Sequence, residues 1–270
     1  MKQYRGITCG CFVSPAAQAN WAESVPPAMK RRDPRIWQMA YAAAKRVIDL
    51  CPSAPPPRSI VVGTALGALE ETRLFLDGVY TDGLGSPRSF IASVHNSMAG
   101  KLALEFKIGG PNLTLCDSHN SFASAIIAAD LLDDADFPVL LCIADERIAL
   151  LDELRTHLSR RCQPYLSDHW EEGAAAFLLS AAPAAGETAV RAFGPFPAER
   201  HDPDAVCREL MEKAGCDASL EIHVAEHSTS FIQPAISAVK MLERGAASGV
   251  IGSYSPTTGA VAVVELRQKT

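Results

Sequence analysis

The stretch from Val61 to Leu132 decides the reading of this chain. It opens Val61-Val62-Gly63-Thr64-Ala65-Leu66-Gly67-Ala68-Leu69-Glu70-Glu71-Thr72 and continues through Ser86-Pro87-Arg88-Ser89-Phe90 and Ser93-Val94-His95-Asn96-Ser97-Met98-Ala99-Gly100. It then runs Gly109-Gly110-Pro111-Asn112-Leu113-Thr114-Leu115-Cys116-Asp117-Ser118-His119-Asn120-Ser121 into an Ala-rich segment. Ser59 to Thr64 is a short apolar run, predicted as a strand, with Gly63 and Gly67 bracketing the turn into a helix over Leu69 to Leu76. A loop follows through Gly85. Asn112 to Cys116 predicts a second buried strand, and about Asn120 to Leu132 a helix so rich in Ala, Ile and Ser that protein should surround it.

Working outward, Ile7 to Val13 reads as a first strand. Arg31-Arg32-Asp33-Pro34 opens a long helix, with Pro34 suited to its first turn. Ile36, Met39, Ala40, Ala43, Val47 and Leu50 supply its apolar face. Pro138 to Ile143 and Gly173 to Ser180 read as further strands, the former apolar on both faces. After Ala181–Gly186, the best boundary, come a strand near Ala189–Phe193, a helix over Pro203–Ala214 and a strand over Leu220–Ala225. A helix over Phe231–Leu242 and strands at Gly249–Ser253 and Ala260–Leu266 close the chain. Alternating strands and helices predict an α/β layered fold whose second half repeats the first in shortened form.

At 270 residues and 48% hydrophobic, the chain can bury a large core. A net charge of −6 and a pI near 5.7 argue against a nucleic-acid surface. No apolar run reaches the roughly eighteen residues of a membrane span. Met1-Lys2-Gln3-Tyr4-Arg5-Gly6 leads into no apolar signal region, so a cytoplasmic protein is expected. The eight cysteines show no C-x-x-C and no histidine at zinc-finger spacing. They read as small buried hydrophobes, with no metal and no cofactor implied; Cys9 and Cys11 share one face of their strand.

The ordered set quoted above resembles the N-terminal half of the β-ketoacyl synthases, the carbon–carbon bond-forming enzymes of the thiolase superfamily. Arg31-Arg32, the Gly63–Gly67 turn, Ser86-Pro87, Asn96 with Ala99-Gly100, and Gly110-Pro111 fall in that family's order. Trp170-Glu171-Glu172-Gly173-Ala174-Ala175-Ala176 is similar to its Gly-Glu-Gly-Ala-Ala strand. The resemblance implies a thiolase-like α/β fold of two pseudo-repeated βαβαβ halves, with buried helices between mixed sheets and a truncated second half. It divides the chain into residues 1–185 and 186–270 within one compact unit. The strand Asn112–Cys116 would lie at a sheet edge and pair across a two-fold axis.

In that family a cysteine nucleophile sits where a strand enters a buried helix, whose dipole favours the thiolate. Counting from Gly110 at the family's spacing lands on Ser118 or His119. Cys116 comes earlier, is expected to face the strand core, and is the alternative, displaced nucleophile. The family's further catalytic groups are two histidines and a lysine. Here Glu226-His227-Ser228-Thr229-Ser230 offers His227 for one histidine, and the intervening stretch is deleted. Ser253-Tyr254-Ser255-Pro256-Thr257-Thr258-Gly259 stands for a glycine-rich closing loop and has lost most of its glycines. His223 and His95 are read as structural, and Asp117, Asp145 and Glu146 as strand-end polar residues without chemistry.

Ser118, His119 and His227 are therefore the candidate catalytic residues, with Cys116 beside them. The resemblance implies a condensation-inactive subunit, similar to a chain-length factor, paired with an active ketosynthase and served by an acyl carrier protein. A homodimer is the other expected assembly. The alternative is an acyltransferase, thioesterase or condensing enzyme using Ser118 or Cys116 with His119 and His227.

Overall fold

Nine strands form the frame of the computed structural model, which describes residues 4–157, 171–197, 203–213, 215–216, 222–224, 230–245, 248–255 and 258–268. His227, Trp170 and Cys162 lie outside the described residues. The strands are β1 (Arg5–Val13), β2 (Ser59–Thr64), β3 (Asn112–Cys116), β4 (Val139–Asp145), β5 (Gly173–Ser180), β6 (Thr188–Pro197), β7 (Ile222–Val224), β8 (Ser248–Ser255) and β9 (Ala260–Gln268). The helices are α1 (Pro27–Arg32), α2 (Arg35–Leu50), α3 (Leu69–Asp82), α4 (Pro87–Ser93), α5 (Ser97–Phe106), α6 (Ser121–Asp130), α7 (Ala149–His157), α8 (Pro203–Lys213) and α9 (Gln233–Glu243).

The strand order β3-β2-β4-β5-β1-β6-β9-β8-β7 holds the repeat. In the first half β2 runs parallel to both β3 and β4, while β5 is antiparallel to β4 and β1. In the second half β7 is parallel to β8, and β9 is antiparallel to β8 and β6. Strands β6, β7, β8 and β9 thus occupy the places of β1, β2, β4 and β5. Among the described residues nothing stands in the place of β3, which is the expected truncation. The halves join where β1 meets β6, from Arg5↔Val190 to Ile7↔Thr188.

Side-chain alternation sorts each central strand onto two cores. Val139, Leu141 and Ile143 of β4 face an inner core shared by α6 and α9. Leu140, Cys142 and Ala144 face an outer core under α2. Each fully buried side chain of Leu or Ile size contributes roughly 1.5–3 kcal/mol. The inner helices α6 and α9, which precede the equivalent strands β4 and β8, are the predicted pair. Phe122 of α6 stacks on Phe177 of β5 at 5.2 Å. Ala-rich composition suits α6 because its helical surface is buried almost all round.

Several sequence expectations are corrected. The helix expected from Arg31 is two helices, since Asp33 and Pro34 adopt extended backbone between α1 and α2. Helix α3 runs on to Asp82, where Gly83 ends it at a left-handed φ of 69°. Helices α4, α5 and α7 were absent from the reading. Cys9 and Cys11 do share a face, each sulfur reaching a carbonyl of α2, Val47 and Ala43 respectively. The Cys9 sulfur also lies beside that of Cys51 at the end of α2. No helix among the described residues is long and apolar enough to cross a membrane.

Candidate functional site

The site forms where β3 ends and the chain turns into α6. Ser118 takes a left-handed φ of 49°, unusual for a residue with a Cβ, and begins a short 3-10 turn over Ser118–Asn120. Ser121 holds that turn closed. Its Oγ lies 2.8 Å from the Thr64 carbonyl and 2.7 Å from that of Ser118, and accepts the Asp117 N–H at 3.1 Å. Glycine is required at position 63 for this approach, because a Cβ there would lie 2.8 Å from the Ser121 carbonyl oxygen.

Ser118 and His119 are brought together: the Ser118 hydroxyl and His119 Nδ1 are 3.2 Å apart. The His119 side chain is not open to solvent; the residue is 6% exposed, and its ring packs at 4.6 Å against Phe231 of the second half. Asn120, fully buried, crosses the same boundary. Its Nδ2 donates to the Ala260 carbonyl at 3.1 Å, and its Oδ1 accepts from the Ser253 hydroxyl at 2.8 Å. Ser253, singled out by the altered closing loop, therefore reaches the site. Asp117 accepts from Ser124 Oγ at 2.5 Å.

Asp145, fully buried at the end of β4, was read as a residue without a role. Its carboxylate accepts from Thr64 Oγ1 at 2.9 Å, from the Ala65 N–H at 2.9 Å and from the Leu66 N–H at 2.9 Å. The Gly63–Gly67 turn is thus wrapped around one carboxyl. Burial pushes that carboxyl up to about 6, against the three hydrogen bonds that favour the anion. At neutral pH it is ionised. Two consecutive acids ending an apolar strand were the only sequence signal; their donors lie some eighty positions earlier.

Cys116 does not face a strand core: β3 is an edge strand, and Cys116 is exposed. Its thiol donates to the Ala65 carbonyl at 2.9 Å. Partial burial, then the carboxylates of Asp145 and Asp117, raise its pKa. Reactive cysteines need the opposite environment, with positive charge stabilising the thiolate. Alkylation of Cys116 by iodoacetamide at pH 7.5 is accordingly expected to be several-fold slower than that of free cysteine, and to accelerate above pH 9. Peptide mass spectrometry reads this directly; a rate at or above that of free cysteine would remove the electrostatic argument.

His227 lies outside the described residues, as does the side chain of His223, whose backbone belongs to β7. Among the described residues no group of three or more His, Cys, Asp or Glu could hold a metal ion.

Comparison with known proteins follows the same lines. The family model "Beta-ketoacyl synthase, N-terminal domain" matches residues 11–182. No curated protein matches the chain. Among solved structures, the ishigamide ketosynthase/chain length factor superposes with a TM-score of 0.75 at 19% identity, covering 99% of this chain and 100% of that one. A ketosynthase (ApeO) in complex with its chain length factor (ApeC) from Xenorhabdus doucetiae gives 0.63 at 16% identity, over 98% and 100%. The complex AntDE:AntF, a type II PKS acyl-carrier protein with its ketosynthase bound to the hexaketide, gives 0.74 at 12%, over 100% of both. At these identities the likeness is one of fold.

Proposed function

The chain belongs to the β-ketoacyl synthase N-terminal domain family, and from that premise we propose that it is a condensation-inactive subunit of the chain-length-factor kind. In this reading it pairs with an active β-ketoacyl synthase and acts, in the cytoplasm, on chains delivered by an acyl carrier protein in a fatty-acid, polyketide or polyene type of synthesis. One observation carries it. At the start of the buried helix, where the resemblance puts a cysteine, this chain has Ser118 and a buried His119 ring closed off by Phe231. The nearest cysteine in sequence, Cys116, has a thiol whose pKa its surroundings raise, against thiolate formation.

Pairing is supported by surface that one copy leaves uncovered. Strand β3 is an open edge, with Leu113 36% exposed, and such an edge invites another chain. Helix α3 has Glu71 as its one buried residue. Tyr80, Leu84, Phe90, Ile91 and Val94 on the α3–α4 excursion are all exposed, apolar side chains that a partner could cover. For the carrier protein, the support is the exposed basic turn Lys30-Arg31-Arg32 closing α1, a local positive face on a chain of net charge −6. The similar ishigamide and Xenorhabdus structures, each of a ketosynthase with a chain length factor, support the same reading.

Light scattering after size exclusion is expected to show the protein dimeric alone, or in a one-to-one complex once a β-ketoacyl synthase is supplied. Ile91→Asp should weaken that association at least about tenfold, as removal of a central apolar anchor does. A stable monomer at micromolar concentration that ignores the synthase would overturn the pairing.

The 3.2 Å approach of Ser118 Oγ to His119 Nδ1 favours a second reading, an acyltransferase or thioesterase with Ser118 as nucleophile and His119 as base. The acylation experiment discussed below separates the two.

A further inference from the structure

Strand β4 leads into two consecutive buried acids that serve different elements: Asp145 holds the Gly63–Gly67 turn, and Glu146 holds the start of α2. Helix α2 lacks a side-chain cap of its own, since Pro34 occupies the capping position. Glu146, 4% exposed, supplies one from another element. Its Oε2 accepts the N–H of Ile36, in the first turn, at 3.1 Å. Its other oxygen, Oε1, is buried and has no hydrogen-bond partner among the described residues.

The charges around Glu146 are mostly of its own sign. Glu70 and the buried Glu71 face it from α3, and Glu172 from the segment leading into β5. Arg35 of α2 is the nearest cation, but its guanidinium is committed to Glu172 at 2.5–3.0 Å. Arg147 is taken by Asp152, and its N–H also points to Glu172. Among the described residues the Ile36 N–H, the dipole of α2 and the charge of Arg35, which is shared with Glu172, favour the anion. A carboxylate here would leave one charged oxygen buried without a donor, beside three other carboxylates. A neutral acid avoids that cost.

We propose that Glu146 is carried as the neutral acid at neutral pH, as a proton-linked cap whose ionisation loosens the start of α2. Since α1 ends immediately before α2, loosening this turn also frees the basic turn Lys30-Arg31-Arg32 to move. The inference does not rest on the pairing reading above. Burial, followed by the neighbouring carboxylates, pushes the Glu146 carboxyl up to about 8 from 4.5. A group that holds its proton more tightly when folded gives its full stability below the unfolded value. That share is lost as pH rises through the folded value. The relevant window therefore runs from about 4.5 to 8, with the loss continuing to neutral pH and above.

The test compares thermal unfolding of the full chain and of Glu146→Gln at pH 6 and pH 9. The amide keeps the acceptor for Ile36 and cannot ionise. Wild type is expected to lose about 5 °C more than the variant over this interval. Hydrogen exchange at Ile36 to Met39 should show lower protection at pH 9 in wild type alone. Equal losses in the two proteins would overturn the proposal. If the variant does not fold, infrared spectroscopy of wild type decides. A protonated-carboxyl carbonyl band present at pH 7 and gone by pH 9.5 supports the neutral acid, and a spectrum without that loss refutes it.

Discussion

Incubated with an acyl carrier protein bearing an acyl thioester, the protein is expected to gain no mass. A covalent acyl-enzyme needs a nucleophile that is ionised or next to a base, and open to the carrier's thioester. The three residues near the required place each fall short of that. His119 is buried against Phe231. Cys116 is exposed, but partial desolvation and the carboxylates of Asp145 and Asp117 raise its pKa, which disfavours the thiolate. Ser118 has only the neighbouring imidazole at 3.2 Å, and that ring is committed to the interior. Loss of the nucleophile from a covalent mechanism costs on the order of 10⁴–10⁶-fold, so the effect is close to all-or-none. Malonyl thioester should likewise survive without decarboxylation. Intact-mass spectrometry is the measurement. An adduct mapped to Ser118, unaffected by Cys116→Ala, would establish the second reading. One on Cys116, abolished by the same substitution, would show that the nucleophile has moved along the strand. Either result would end the inactive-subunit reading.

Asp145→Ala is expected to be the most damaging single substitution near the site. It leaves the Thr64 hydroxyl and the Ala65 and Leu66 N–H groups without their acceptor, all in the turn beneath α6. Each buried donor so orphaned costs about 1–3 kcal/mol, and the combined loss is expected near 3–5 kcal/mol. For a domain whose total stability is of order 5–15 kcal/mol, that is a large fraction. The urea midpoint should fall accordingly, with Tm lower by about 10 °C. Asp145→Asn keeps one acceptor oxygen and should recover about half of the loss. A change below about 1 kcal/mol in Asp145→Ala would show that water replaces the carboxylate and that the turn holds its shape without it.

The site's address was legible in the chain because strand-to-helix junctions are local. Ser59–Thr64 and Gly173–Ser180 emerge as predicted, since each is an apolar run ended by a glycine turn or a polar cluster; Asn112–Cys116 has the predicted bounds but is exposed or half-buried rather than buried. Helices α4 and α5 escaped notice because their periodicity is blunted. Phe90, Ile91 and Leu104 point outward, so no clean apolar stripe is written in the sequence. Pro34 marks the split between α1 and α2, standing at the N-cap of α2 directly before the first turn in which the sequence predicts it. Cys116 was misplaced for a reason of topology. Leu113-Thr114-Leu115-Cys116 reads by its composition as a buried strand, although the resemblance places it at a sheet edge, and the sheet order shows β3 with one neighbour among the described strands.

What the sequence determined by itself is the order of the elements, the identity of the inner helices and the absence of cysteine at positions 118 and 119. All three follow from neighbours in the chain. What only the tertiary structure decided is how those residues behave. Asn120 is fixed by Ser253 and Ala260 from the far half, His119 by Phe231, and the Gly63–Gly67 turn by Asp145. A hydrogen bond or ring contact depends on positions in space, and the two pseudo-repeated halves bring together residues more than a hundred positions apart. The raised pKa values of Asp145, Glu146 and Cys116 likewise exist only once segments distant in the chain have packed around them.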